Sequence, residues 1–281
     1  MIIDGWTNLV RYELEGGGVN RLLEGSADFF GPGADLYKTR SVADLIGVLD
    51  DAGVDRALLS TELPGSTRES RLGVKVLPYD EAVQACDESG RLKLIVGIRS
   101  VDEPLPLVTK IREIAADPRV FGLIVGAAGL GVPLTHRLLY PVYATAAEVG
   151  LPIVCNVGIV GPPVASKDQH PLLLEEICAD FPTLQVIAAH GGHPWERLLV
   201  RLMMKFPNLS YLSSAYLPKY IDPAILDYMS SSRGATKCMF GSDWPMLEPS
   251  RCIAEARKLG LRDEVLDGYL GGNLAARWER N

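Results

Sequence analysis

The stretch "LPIVCNVG", residues 151–158, shows the pattern that decides the fold. Its residues are almost continuously apolar, which is typical of a parallel strand covered on both faces. A helical segment that ends at Gly150 precedes it, and the segment 158–170, rich in Gly and Pro, follows it. The order helix, buried strand and long polar loop therefore predicts one βα unit of a larger α/β fold.

The same pattern recurs along the whole chain. Seven further strands are predicted in "MIIDGW" (1–6), "DRALLST" (55–61), "LKLIVGIR" (92–99), "FGLIVG" (121–126), "LQVIAAH" (184–190), "LSYLSS" (209–214) and "TKCMFGSD" (236–243). Eight strands alternating with helices predict a (β/α)8 TIM barrel formed by a single domain over residues 1–281. A doubly wound open sheet is the alternative, but no Gly-rich phosphate-binding turn supports it.

Start and stop signals delimit the helices. Ser41 is a predicted N-cap and Gly53 a C-terminal stop, while Gly90 and Gly150 end two later helices. In 135–149, Pro141 predicts either a kink or a later start. For the segment "HPWERLLVRLMMKFP", the sequence predicts Pro194 in the first turn and an end at Pro207.

Composition narrows the class of protein. The 281 residues are 47% hydrophobic and carry a net charge of -7, which argues against a nucleic-acid partner. No apolar run long enough for a membrane span and no secretory signal is expected. The cysteines are scattered and lack CxxC spacing, so reduced thiols in a cytoplasmic protein are predicted. These expectations leave a small molecule as the predicted partner.

Function in a barrel is expected at the carboxyl ends of the strands. The polar or aromatic residues at those ends are Trp6, Asn8, Glu62, Arg99, Asn156, His190, Ser213, Ser214 and Asp243. The long segments 7–40 and 158–170 both follow strand ends, so they are predicted to form loops over the barrel mouth. These residues are therefore the candidate lining of a site.

His190 and Asp243 are the predicted catalytic pair. His190 stands beside two glycines that leave its ring open, although a histidine bonded to backbone in the core is the alternative. Asp243 either faces the site or caps the next helix, and Pro245 favours the site because it delays the helix start. Predicted substrate-binding residues are Trp6, Asn8, Arg99, Asn156, Ser213 and Trp244.

Each of these residues also has a structural interpretation. Arg99 either binds a substrate carboxylate or forms a salt bridge with Glu62 or Asp102. The two asparagines could satisfy backbone groups in turns, and the tryptophans could be packing residues or an aromatic pocket wall. The remaining histidines, His136, His170 and His193, lie at helix starts, where a surface position is predicted.

The chain resembles the amidohydrolase-related proteins, which include aminocarboxymuconate semialdehyde decarboxylase, benzoate-type decarboxylases and dicarboxylate lactonases. The matching motifs are "IID" at strand 1, "LPIVCNVG" at strand 5, "AAHGGHPW" at strand 6, "FGSDWPM" at strand 8 and "YLGGNLAARW" near the C-terminus. The resemblance implies a metal held by two histidines at strand 1 and one at strand 5. Here Trp6, Asn8 and Asn156 occupy those places, whereas His190 and Asp243 match the family's strand-6 histidine and strand-8 aspartate.

Such a ligand set is poor for zinc, which takes three protein ligands from His, Cys or carboxylate. The resemblance and the residues together predict no required cofactor, with room for a weakly bound divalent metal at His190 and Asp243. The first hypothesis is a metal-independent hydrolase of a small carboxylated lactone or ring compound, with Asp243 as base, His190 as acid and Asn8 and Asn156 as amide donors. A decarboxylase and a non-catalytic binding protein are the alternatives. Relatives are often oligomers, so a homo-oligomer is a further hypothesis.

Overall fold

The eight predicted strands form a barrel in a computed structural model that describes residues 1–9, 40–64, 76–161 and 164–279. The parallel strands follow one another in chain order: β1 Ile3–Asn8, β2 Arg56–Glu62, β3 Leu92–Gly97, β4 Val120–Val125, β5 Ile153–Asn156, β6 Val186–Ala189, β7 Leu209–Ser213 and β8 Cys238–Phe240. Thr7 pairs with Trp244, and Asn8 N–H donates to the Trp244 carbonyl at 2.7 Å, which brings the first and last strands together. The TIM-barrel prediction is confirmed.

Helices follow the strands on the outside of the barrel. They are α1 Val42–Ala52, α2 Tyr79–Ser89, α3 Pro104–Ala115, α4 Ala127–Leu130, α5 Tyr140–Val149, α6 Leu173–Asp180, α7 Glu196–Lys205, α8 Pro223–Met229, α9 Pro249–Ala256, α10 Asp263–Asp267 and α11 Asn273–Ala275. No helix in the described parts of the chain is long and apolar enough to cross a membrane. Most of the segment 7–40 lies outside the described residues, whereas 158–170 is described except for 162–163.

The predicted helix signals are mostly confirmed. Ser41 caps α1 in a reciprocal capping box with Asp44, and Gly53, Gly90 and Gly150 end their helices with left-handed backbone. Helix α5 begins at Tyr140, so Pro141 lies in its first turn, where its missing N–H costs nothing. The prediction for Pro194 is wrong: α7 begins at Glu196, and Pro194 precedes it after a cis peptide bond.

Two apolar layers explain why the strands are continuously apolar. Each strand contributes at least one side chain to the barrel interior, and these include Ile3, Leu58, Ile95, Phe121, Val154, Ile187, Leu212 and Met239. Alternate residues pack outward against the helices, because successive side chains point to opposite faces of a strand. Leu274 and Trp278 join the interior cluster from the C-terminal segment. The polar site residues are therefore left at the opposite, carboxyl ends of the strands.

Candidate active site

The end of β1 is held in a network of hydrogen bonds centred on Asn8. Its Oδ1 accepts from Trp6 Nε1 at 2.9 Å and from Ser60 Oγ at 2.6 Å. Its Nδ2 donates to Asp243 Oδ1 at 2.7 Å and to the Trp244 carbonyl at 3.1 Å. Both donor bonds of the amide are used, so the prediction that Asn8 donates to an oxyanion is wrong. Asn8 instead positions the Asp243 carboxyl group.

His190 follows β6 at a bend of the chain. It has a φ of +63°, and Gly191 and Gly192 after it also have positive φ, which glycine adopts without steric cost. The Ser214 oxygen accepts from the His190 backbone N–H at 3.2 Å and lies 2.9 Å from His190 Nδ1. Because that oxygen is already an acceptor, we assign its hydrogen to a bond with Nδ1. A neutral imidazole then carries its proton on Nε2.

Asp243 lies beside His190, as predicted. Asp243 Oδ2 is 4.0 Å from His190 Nδ1, and the side chains are 10% and 18% exposed. The backbone of Asp243 has a φ of +61° and donates to the Trp6 carbonyl at 2.9 Å. The capping alternative is wrong, because α9 begins only at Pro249. The Trp6 ring stands 4.7 Å from the His190 ring, so it forms one wall of the pair.

Burial dominates the electrostatics of this pair. It raises the pKa of Asp243 to about 7, against the hydrogen bond from Asn8, which lowers it; the nearby carboxylate of Asp4 raises it further. Burial also lowers the pKa of His190 to about 4. The 4.0 Å contact is thus no ion pair at neutral pH, since His190 is neutral there.

Asp4 is a buried residue beneath the pair that the sequence did not mark as part of the site. Its Oδ1 accepts from the backbone N–H of Trp6 at 3.2 Å and of Ser242 at 2.9 Å, while its Oδ2 has no partner in the described structure. Burial raises its pKa to about 6. Asp4 therefore joins β1 to the segment that carries Asp243. The only sequence signal was a carboxylate inside an apolar strand.

A cavity of about 180 Å³ opens at the ends of β1 to β5. Arg99 lies in its wall, and Arg99 Nε is 3.0 Å from Glu62 Oε2; the pair is ionic rather than a hydrogen bond, because Arg99 Nε has no aligned acceptor. Asn156 is also in the wall, and its buried Oδ1 has no hydrogen-bond partner in the described structure. Val160 and Gln169 of the segment 158–170 line the same cavity. Trp6 and Asn8 connect this cavity to the catalytic pair.

Two predicted substrate-binding residues lie apart from this cluster. Ser213 is buried and its hydroxyl pairs with the Tyr269 hydroxyl, whereas the neighbouring Ser214 contacts His190. Trp244 is 2% exposed within the outer core, with the Arg40 guanidinium 5.3 Å from its ring. For Trp244 the structure supports a packing role.

Of the other histidines, His193 has the predicted surface position, whereas His136 and His170 are half-buried. The His193 side chain is 56% exposed, and its Nδ1 lies 2.8 Å from Glu196 Oε1. The His170 ring stands 4.3 Å from the Trp195 ring. His136 precedes a short 3-10 turn, and its buried Nδ1 has no hydrogen-bond partner in the described structure.

The donor set does not fit a tightly held transition metal. Among the described residues, no group of three His, Cys, Asp or Glu side chains could hold a metal ion. The Asn8 Nδ2 donor faces Asp243 Oδ1, so the carboxyl oxygen is already satisfied by an amide. A site with His190 and Asp243 alone supplies two strong ligands where zinc takes three or four.

Comparisons with known proteins place this geometry in a family. The family model described as amidohydrolase matches residues 80–278, more than half of the chain. No curated protein matches the sequence. The fold is similar to that of an uncharacterised TIM-barrel protein from Bordetella bronchiseptica, with 20% identity, 99% of both chains covered and a TM-score of 0.76.

Two further solved structures come from enzymes with named activities. A dihydroxybenzoic acid decarboxylase from Polaromonas, solved with manganese and the inhibitor 2-nitroresorcinol, has 13% identity, covers 99% of this chain and 96% of its own, and gives a TM-score of 0.69. A probable 2-pyrone-4,6-dicarboxylic acid hydrolase from Acinetobacter baumannii has 14% identity, 99% and 98% coverage and a TM-score of 0.63. The decarboxylase from Polaromonas was solved with manganese, so this comparison does not support the prediction that no cofactor is required. That prediction rests on the donor atoms of this chain alone. The family match, the barrel and the strand-end residues together show that this chain belongs to the amidohydrolase family.

Proposed function

We propose that the protein is a metal-independent hydrolase of a small lactone or ring ester that bears a carboxylate. The observation that carries the proposal is the His190–Asp243 pair, in which a buried carboxyl group with a pKa of about 7 stands 4.0 Å from a neutral imidazole. A general base works best when its pKa is near the operating pH. The pair therefore supports acid–base chemistry at neutral pH.

Asp243 is the base in this proposal. One of its oxygens, Oδ1, accepts from Asn8, while Oδ2 makes no hydrogen bond with any residue the structure describes. At pH 7 about half of the molecules carry the ionised form, because the pH equals the pKa. Oδ2 takes a proton from a water molecule, whose oxygen attacks the ester carbonyl carbon.

His190 and Asn156 stabilise the oxyanion that forms on the carbonyl oxygen. With Nδ1 bonded to Ser214, neutral His190 offers Nε2–H as a donor. Asn156 ends the neighbouring strand, where it pairs with Ala189 just before His190, and its amide is free to turn a donor toward the cavity. Preorganised donors of this kind contribute about 3 kcal/mol each to transition-state stabilisation.

Arg99 and the size of the cavity define the substrate. A cavity of about 150 Å³ holds a benzene molecule, so about 180 Å³ accommodates one six-membered ring with few substituents. The Arg99 guanidinium matches a carboxylate group, although Glu62 offsets part of its charge. When the ring C–O bond breaks, Asp243 returns its proton to the leaving oxygen. The product is a ring-opened acid, and the enzyme regains its starting state.

A decarboxylase is the second candidate. The same carboxyl group is protonated in about half of the molecules at pH 7, so it can donate a proton to a ring carbon as the bond to a departing carboxyl group breaks. The fold likeness to the Polaromonas decarboxylase favours this alternative. Both reactions use Asp243, but only hydrolysis takes up water and only decarboxylation releases carbon dioxide.

Product analysis in oxygen-18 water separates the candidates. Pyrone carboxylates and hydroxybenzoates are incubated with the wild type, with Asp243→Asn and with Tyr143→Phe, which removes a buried hydroxyl bonded to the Leu134 carbonyl away from the site. Hydrolysis predicts one oxygen-18 atom in the ring-opened acid, with turnover lost in Asp243→Asn and kept in Tyr143→Phe. Release of carbon dioxide, with no oxygen-18 in the ring product, would establish the decarboxylase instead. Saturable binding without turnover would establish a binding protein.

A further inference from the structure

A second cavity, of about 580 Å³, lies at the ends of β6, β7 and β8. Its lining includes Glu196, Tyr211, Tyr216, Leu217, Asp222 and Met246. Ser214 also lines this cavity and contacts His190 Nδ1 at 2.9 Å. Residues of both cavities therefore contact the catalytic pair, Asn8 from the first and Ser214 from the second, and only the first cavity contains Arg99.

An unpaired hydroxyl group faces this second cavity. Tyr211 is 2% exposed, and its hydroxyl makes no hydrogen bond with any residue in the described parts of the chain. Burial, with smaller effects from neighbouring acidic groups, raises the pKa of Tyr211 well above its usual value, so the hydroxyl stays a donor. The hydroxyl is open to the cavity, so a ligand with an acceptor atom there can take its hydrogen bond.

The charges around the cavity disfavour a carboxylate. Glu196 and Asp222 are both in its wall, against the single guanidinium of Arg251. The Asp222 side chain accepts from Ala224 N–H at 2.8 Å, and Glu196 bonds His193 at 2.8 Å, so both carboxylates are fixed in place. A neutral group avoids their repulsion, because like charges in a partly buried site interact strongly.

Shape and lining favour an aromatic group. Tyr216, Leu217 and Met246 supply the apolar wall, as is usual for sites that bind rings. The volume is about three times that of the first cavity, which suits one ring. Two fused rings therefore fit the second cavity and do not fit the first.

We propose that the second cavity is a binding site for a neutral aromatic group with a hydroxyl or carbonyl oxygen, which accepts a hydrogen bond from Tyr211. Its assignment to a part of the substrate rests on the proposed function. The substrate then has a carboxylated ring in the first cavity beside Arg99 and an aromatic substituent beside Tyr211, with the ring ester at His190 and Asp243. Hydrolysis of that ester adds the water oxygen to the carbonyl carbon and leaves the proton on the ring oxygen that departs from it.

Fluorescence titration with 2-naphthol tests the site without any need for turnover. We expect saturable binding at one site, weakened about 2- to 13-fold by Tyr211→Phe, the range of one neutral hydrogen bond. Naphthalene, which lacks the oxygen, should lose no affinity in Tyr211→Phe. Tyr143→Phe, which removes a buried hydroxyl bonded to the Leu134 carbonyl elsewhere in the fold, should bind 2-naphthol as the wild type does.

Met246→Trp provides a second variant that fills the cavity and keeps the hydroxyl. It should weaken both 2-naphthol and naphthalene, with native circular dichroism as the folding control. Binding that does not saturate, or equal 2-naphthol affinity in wild type and Tyr211→Phe, would overturn the proposal. Binding of 2-naphthoate as tight as that of 2-naphthol would show that Glu196 and Asp222 do not repel a carboxylate in this cavity.

The same measurement in Asp243→Asn separates this proposal from the proposed function. That variant should lose hydrolysis and keep 2-naphthol binding, because Asp243 does not line the second cavity. If no ester is hydrolysed while Tyr211→Phe still weakens 2-naphthol, the hydrolase proposal fails and the aromatic site stands. If esters are hydrolysed and 2-naphthol does not bind, the hydrolase proposal stands and the aromatic site fails.

Discussion

The hydrogen bond from Asn8 to Asp243 should set the acid limb of the pH–rate profile. Asn8 Nδ2 donates to Asp243 Oδ1 at 2.7 Å and lowers the pKa of a carboxyl group that burial raises to about 7. A base must be ionised to act, so kcat/KM should rise with pH through this pKa in the wild type. Asn8→Ala removes the donor and leaves the carboxyl group buried.

The size of the expected change follows from the type of bond. A hydrogen bond to a charged group contributes about 1.5–3 kcal/mol, and one pKa unit corresponds to about 1.4 kcal/mol. The limb should therefore move up by about 1–2 units in Asn8→Ala. At pH 7 the ionised fraction falls from about a half to between a tenth and a hundredth, so kcat/KM should fall about 5- to 50-fold and recover at higher pH.

The assay is kcat/KM against pH for the wild type, Asn8→Ala and Ser60→Ala. Ser60→Ala removes a donor to Asn8 Oδ1 but keeps the bond from Asn8 to Asp243, so its limb should move little. A limb that stays in place in Asn8→Ala would refute the role of Asn8 as a positioning donor. So would an equal loss of kcat/KM at every pH, since that indicates damage to the site rather than a change in the pKa of Asp243.

Four further outcomes are expected. Asp243→Asn should lower turnover about 100-fold or more. It should also raise the free energy of unfolding at pH 8, measured by urea denaturation, by an amount on the order of 3 kcal/mol. The reason is that the folded pKa of about 7 lies above the ordinary value of 3.8, so the wild type loses stability as the pH rises between these two values. His190→Asn should lower turnover similarly. The folded wild type should lose stability on the order of 3 kcal/mol as the pH falls from 6.5 to 4, because the folded pKa of His190 is lowered to about 4, and the variant should not show this loss. Equal acid sensitivity in both proteins would contradict this. Arg99→Met should raise KM roughly 10- to 100-fold for a carboxylated substrate and leave an uncharged analogue unaffected in steady-state assays. Protein purified without added metal should contain less than one transition metal per chain by elemental analysis and should keep its activity in the presence of chelators. The double variant Asn8→His with Asn156→His should not have a higher activity. One tightly held metal per chain, with loss of activity to chelators, would overturn this expectation.

The barrel could be predicted from the sequence because it depends on local and periodic signals. Strands buried on both faces are apolar along their covered length, as in 151–155, and the structure places alternate residues in the interior and outer clusters. Helix ends are local signals, because they depend only on the backbone of one turn and on residues close in sequence. This applies to Ser41, Gly53, Gly90 and Gly150. Pro194 was misplaced because its role depends on how the chain leaves β6.

The carboxyl-end rule of barrels likewise identified Trp6, Asn8, Arg99, Asn156, His190 and Asp243 as neighbours of one mouth, before any contact was known. The rule states where a strand ends and not which way a side chain turns.

Tertiary structure alone decided the roles of these residues. Ser213 and Ser214 are adjacent in the chain, yet one bonds Tyr269 and the other His190, because successive side chains point to opposite sides of a strand and the register at its end is not readable from composition. Asn8 became a positioning residue because Trp6, Ser60 and Asp243 surround its amide.

The protonation states of the pair were also beyond the sequence. At their ordinary pKa values, Asp243 would be ionised and His190 partly protonated near neutral pH. Burial removes water from both, which favours the neutral form of each, and it does so more strongly than a contact of 4.0 Å favours the charged forms. Residue types determine which groups can titrate, while the depth at which the barrel holds them determines the pH at which they do.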